Sequence, residues 1–107
     1  MYSPEITSGT LAMLREVCTA TLTTQLFKLG FRNTFILGLQ ALSPKQRMVG
    51  EAVTLRLVPA REDLATFDAI SQPGYAQRVA IEGMKPGQVL VVEARGVMGA
   101  AVGGEVY

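Results

Sequence analysis

The chain has 107 residues, 49% of them hydrophobic, with ten Lys and Arg against nine Asp and Glu for a net charge of +1. That is enough apolar material for the core of one domain, and a balance without like-charge runs excludes the footprint of a general nucleic-acid or membrane-surface binder. Histidine is absent, which removes the Ser-His-Asp triad, the Cys-His dyad, the His-Glu-x-x-His zinc site and any iron site built from two histidines and a carboxylate. Chemistry is left to carboxylates, Arg, Lys, Tyr and backbone amides. The lone cysteine, Cys18, forms no internal disulfide, and Met1-Tyr2-Ser3-Pro4-Glu5 has neither the basic stretch nor the long apolar run of a signal peptide. Apolar runs fall short of the ~20 residues that cross a bilayer. A soluble protein of the reducing cytoplasm is expected.

Ser3, Pro4 and Glu5 read as a helix start, predicting a helix over 4–17. Leu22, Leu26 and Leu29 fall at i, i+4 and i+7, and Gly30 suits a left-handed cap, so a second helix spans 19–29 with Cys18 packed as a small residue between the two. The mixed stretch 31–42 reads as a loop with one short strand at 34–37. Over 48–58, Val49, Val53, Leu55 and Leu57 alternate with Thr54 and Arg56, the period of a half-covered strand, ended by Pro59. Two short helices at 62–70 and 76–84 flank Gln72-Pro73-Gly74, and Lys85-Pro86-Gly87 turns into a strand over 88–94. Its unbroken run Val89-Leu90-Val91-Val92 fits a central strand covered on both faces. Strands alternating with helices give an α/β fold. After it comes Gly103-Gly104-Glu105-Val106-Tyr107, the kind of turn that introduces a helix, with no helix residues following it. The expected chain is therefore the N-terminal part of a single domain, apparently truncated at its C-terminus.

Several segments, in order, resemble one family. They are Thr19-Ala20-Thr21-Leu22, Gly30-Phe31-Arg32-Asn33, Arg47-Met48-Val49-Gly50, the distinctive Thr54-Leu55-Arg56-Leu57-Val58-Pro59-Ala60-Arg61-Glu62-Asp63-Leu64, Pro86-Gly87-Gln88-Val89-Leu90-Val91-Val92, and Gly103-Gly104-Glu105-Val106. Together they resemble RraA-like proteins, the family of 2-oxo-acid aldolases and ribonuclease activity regulators. The resemblance implies a three-layer β/β/α swivelling domain that assembles as a trimer or hexamer with active sites between subunits. It implies class II aldolase chemistry on 4-hydroxy-4-methyl-2-oxoglutarate or 4-carboxy-4-hydroxy-2-oxoadipate, yielding pyruvate, and decarboxylation of oxaloacetate. A divalent cation, Mg2+ or Mn2+, would polarise the 2-oxo group and stabilise the enolate.

The family's Gly-acid-apolar turn matches Gly104-Glu105-Val106-Tyr107. There the resemblance implies backbone amides of Gly104, Glu105, Val106 and Tyr107 on the pyruvyl carboxylate, and Glu105 as the catalytic acid, reaching the metal through a water. Free amides at a helix start favour an anion, and glycine allows its close approach. The family's Arg and adjacent metal-ligating Asp come later than this turn; no Arg is followed by Asp anywhere in the 107 residues. Direct metal ligands are therefore expected to be lacking in this chain. A second reading is a regulator that docks on the endoribonuclease RNase E, and a third is an inactive, truncated remnant. Without the resemblance, Gly103-Gly104-Glu105-Val106-Tyr107 reads as a Gly-rich tail. Arg56, Arg61, Glu62 and Asp63 read as solvated charges, and Met13, Met48, Met84 and Met98 as core filler.

Overall fold

The computed structural model describes residues 5–96. Along them run α1 (Ser8–Glu16), α2 (Thr19–Lys28), β1 (Glu51–Arg56), α3 (Phe67–Ile70), α4 (Ala76–Glu82) and β2 (Gln88–Glu93). The chain divides between Gly50 and Glu51 into two compact units, the first carrying α1 and α2 and the second the remaining elements.

In the first unit α1 starts later than the 4–17 helix expected from Ser3. Its cap is Thr7, in extended backbone, whose Oγ1 accepts the Thr10 N–H at 3.1 Å. A threonine that satisfies a free amide from non-helical backbone ends the helix on its N-terminal side, so Glu5 and Ile6 stay outside. Leu11, Leu14 and Val17 are half-buried, whereas Met13 lies off that stripe and is 74% exposed, which corrects its reading as core filler.

Helix α2 ends on Gly30, at φ +93. The Gly30 N–H donates to Phe27 O and the Phe31 N–H to Leu26 O, both at 3.0 Å, so two orphan carbonyls are satisfied by a turn that a side chain at position 30 would strain. Leu22 and Leu26 are half-buried, but Leu29 has left the helical backbone (ψ 0) and is exposed, shortening the expected stripe. The strand expected at 34–37 is absent. Extended residues become a strand only when a neighbour takes up their amides and carbonyls; Asn33 turns left-handed (φ 55) and Phe35, Ile36 and Leu37 are exposed. Arg47 Nη2 donates to Leu14 O at 3.4 Å, tying this stretch back to α1. Met48 is also exposed, a second correction to the filler reading.

In the second unit β1 and β2 pair in parallel, from Glu51 opposite Gln88 to Arg56 opposite Glu93. The alternation read in the sequence is realised: Val53 and Leu57 are half-buried and Leu55 is buried, while Ala52, Thr54 and Arg56 are exposed. Every residue of β2 before Glu93 is half-buried and none is fully buried, so the central strand covered on both faces that its unbroken apolar run suggested is not what is seen: among the described residues the sheet has two strands and β2 is an edge. The crossover holds α3, a single turn rather than the 62–70 helix expected, because Thr66 caps it by accepting the Ala69 N–H. Upstream, the N–H groups of Leu64 and Ala65 close instead on Arg61 O. Helix α4 half-buries Gln77, Ala80 and Ile81, followed by Met84, at i, i+3, i+4 and i+7, and packs on β1. Entry to β2 is a type II turn: Pro86 holds its first central position, Gly87 the second at φ +86, and the Gln88 N–H returns to Lys85 O at 3.1 Å. Met98, the fourth methionine read as filler, lies outside the described residues.

Candidate functional site

Open α/β sheets bind ligands beyond the C-terminal ends of their parallel strands. At that edge, in register, stand Arg56 and Glu93, with Arg56 Nε 3.6 Å from Glu93 Oε2. Both side chains are more than half exposed, so their mutual attraction is screened. The other carboxylate oxygen, Glu93 Oε1, accepts the backbone N–H of Arg95 at 2.8 Å. Arg95 and Gly96 then follow in consecutive left-handed conformations, φ 55 and φ 73. One carboxylate thus serves a cation on the neighbouring strand and an amide in its own exit turn. Neither Glu93 nor Arg95 stands out in the sequence as a site residue. The available signal is Arg95-Gly96 directly after an apolar strand, the X-Gly pattern of turns that need positive φ.

The charges at 61–63 behave as solvated groups: Arg61 grips Asp63 in a two-pronged pair, with Nε to Oδ1 at 3.1 Å, and both are well exposed, as is Glu62. Gly104, Glu105, Val106 and Tyr107 lie outside the described residues. Among the described residues no three His, Cys, Asp or Glu side chains converge, and Asp63, Glu82 and Glu93 are each paired with an arginine.

Two features of the first unit remain. A cleft of about 600 Å³ lies at the end of α2, where the Arg32 guanidinium sits 5.2 Å above the Phe27 ring and residues from Thr23 to Leu37, Phe31 and Phe35 among them, line the wall. Cys18, expected to be packed, is exposed as the N-cap of α2. Its extended backbone turns the side chain to the helix start, where Sγ lies 3.0 Å from Thr21 Oγ1. The Thr21 hydroxyl, and after it the Thr21 amide, hold the thiol below its ordinary pKa. No His exists in the chain to act as its base.

Among the described residues no helix is long and apolar enough to cross a membrane. Parallel strands joined through helices, with charged groups at their C-terminal edge, define an α/β protein. The family model of the RraA-like proteins, described as Aldolase/RraA, matches residues 17–107, and the chain belongs to the RraA-like family. No curated protein and no solved structure gives a significant match. The matched span begins at Val17, past the end of α1, and takes in Gly104-Glu105-Val106-Tyr107.

Proposed function

We propose that these residues belong to a divalent-metal-dependent lyase that cleaves or decarboxylates small 2-oxo acids, releasing pyruvate. The observation that carries this reading is the family match running through residue 107, so that the Gly-acid-apolar turn lies inside it. In this reading the amides of 104–107 hold the pyruvyl carboxylate and Glu105 is the acid beside it. The domain is of the three-layer β/β/α swivelling kind, assembled as trimers or hexamers in the cytoplasm. The cation belongs to the complete site, with the Arg-Asp pair that these 107 residues do not contain.

The test uses the protein expressed from the whole reading frame that carries these residues, assayed for Mg2+-dependent pyruvate release from oxaloacetate and the two aldol substrates. Glu105→Gln should lower turnover or metal affinity by roughly 10–100-fold, the range for groups that act on a metal through an intermediary, with an unchanged melt. Arg61→Ala should leave turnover intact and change stability by less than about 1 kcal/mol, as a surface pair does. Unchanged activity in Glu105→Gln would put the site on another turn. The 107-residue polypeptide by itself should not exceed the free-metal background, and saturable turnover by it would show that the Arg-Asp pair is dispensable.

A second reading, docking on RNase E, is favoured by the exposure of Phe31, Phe35, Leu37 and Leu42, large apolar side chains of the sort binding surfaces use. Inhibition of RNase E cleavage by a full-length protein without aldolase turnover would establish it. The intact mass of the natural protein separates both readings from an inactive remnant.

A further inference from the structure

We infer that the cleft at the end of α2 binds a small aryl carboxylate, with Arg32 taking the carboxylate and the phenylalanines of the wall taking the ring. Between Glu16 and Glu51 the sequence carries Lys28, Arg32, Lys45 and Arg47 and no Asp or Glu, so this stretch attracts anions although the whole chain has a net charge of only +1. Arg56, Arg61 and Arg78 are each paired with a carboxylate, whereas among the described residues none pairs with Arg32. Its guanidinium is held 5.2 Å from the centre of the Phe27 ring. A ring face takes up the charge but accepts none of the N–H fork, which is left for a two-pronged acceptor. The turn that presents it is fixed on both sides. The Phe31 N–H is held by Leu26 O at 3.0 Å after Gly30 at φ +93, and Asn33 follows at φ 55, a conformation that asparagine tolerates better than most residues. Phe27, Phe31 and Phe35 are each more than half exposed around about 600 Å³, a volume in the range of small-molecule sites, and no acidic side chain lines it. A phosphate would use the guanidinium and leave those rings in water. An aryl carboxylate uses both.

The probe is 2-naphthoate, titrated into the protein expressed from the whole reading frame, with binding read by NMR from the backbone amide shifts. A dissociation constant of roughly millimolar or tighter is expected for a ligand of this size, with shifts centred on Phe31, Arg32 and Asn33. Arg32→Gln, which removes the charge and the fork from an exposed position and should keep the parental melt, should weaken binding about tenfold, and Arg32→Lys by less. The neutral isostere 2-naphthamide should also bind about tenfold more weakly, and acetate, which has no ring to cover the phenylalanines, should leave these amides unshifted. Lys45→Gln, on the same stretch but outside the wall, should bind as the parent does. Parental affinity in Arg32→Gln overturns the inference, as does equal binding of 2-naphthamide or no binding of 2-naphthoate by the parent. It is overturned as well if a short oligouridylate shifts these amides where 2-naphthoate does not, which would make the cleft a surface for single-stranded nucleic acid.

Discussion

The two units handle apolar sequence in opposite ways. In 5–50 the helices are closed by their own local groups, Thr7 at one start and Gly30 at one end. Most large apolar side chains of the stretch, above all those that follow α2, are nevertheless exposed: Leu37 is 84% and Leu42 91% exposed. In 51–96 the strands exist only because they meet one another across the crossover, and that register places Leu55 at 7% exposure, the one buried hydrophobic among the described residues. Local capping makes a helix without making a core, whereas parallel pairing makes both at once.

The contrast between the units breaks most readily at Leu55. Leu55→Ala should cost about 2–3 kcal/mol, the lower part of the range for burying and then deleting a leucine side chain, because its neighbours are only half-buried. Leu42→Ala, the same chemical change at an exposed position, should stay within about 0.5 kcal/mol. Urea titrations of both variants decide it, and equal losses would mean that 5–50 holds a core of its own.

Gly30→Ala sharpens the other half of the contrast. Nothing lies within 4 Å of the added Cβ, so the whole penalty is the left-handed backbone at φ +93, about 1 kcal/mol. Fraying of α2 by circular dichroism, with no change at the strand pair, is the expected signature. A loss shared by both units would show that the helix end supports the sheet.

What is legible in the sequence follows the same line. Gly30, Pro86-Gly87 and the alternation through Leu55 carry their conformations in local backbone chemistry, and each is readable from residue type and spacing. The strand expected at 34–37 fails because extended residues declare nothing about a partner, and none pairs there. The 4–17 and 62–70 helices come out too long from the sequence because the threonines that cap them, Thr7 and Thr66, sit inside the stretches that look helical. The residues at 104–107 that the resemblance singles out lie outside the described ones, and the pairing of Glu93 with the Arg95 amide is not legible in the sequence. A carboxylate that caps an amide two residues on differs from a surface charge only once φ at Arg95 is known.

The smallest expected effect concerns Cys18, where the exposed character of 5–50 meets helix-start chemistry. The Thr21 hydroxyl at 3.0 Å and the Thr21 amide favour the thiolate, so the thiol ionises below its ordinary value. Replacing Thr21 by Val removes the hydroxyl and keeps the amide, so the thiol should move back up part of the way. Below the thiol pKa the variant then holds less thiolate and should alkylate more slowly with iodoacetamide. Well above it both proteins are fully ionised and their rates should converge. Thr21→Ser, which retains the hydroxyl, should track the parent at every pH. Parallel pH profiles for Thr21→Val and the parent would place the cause of the shift in the α2 amides rather than in Thr21. A rate near zero in all three would contradict the exposure of Cys18.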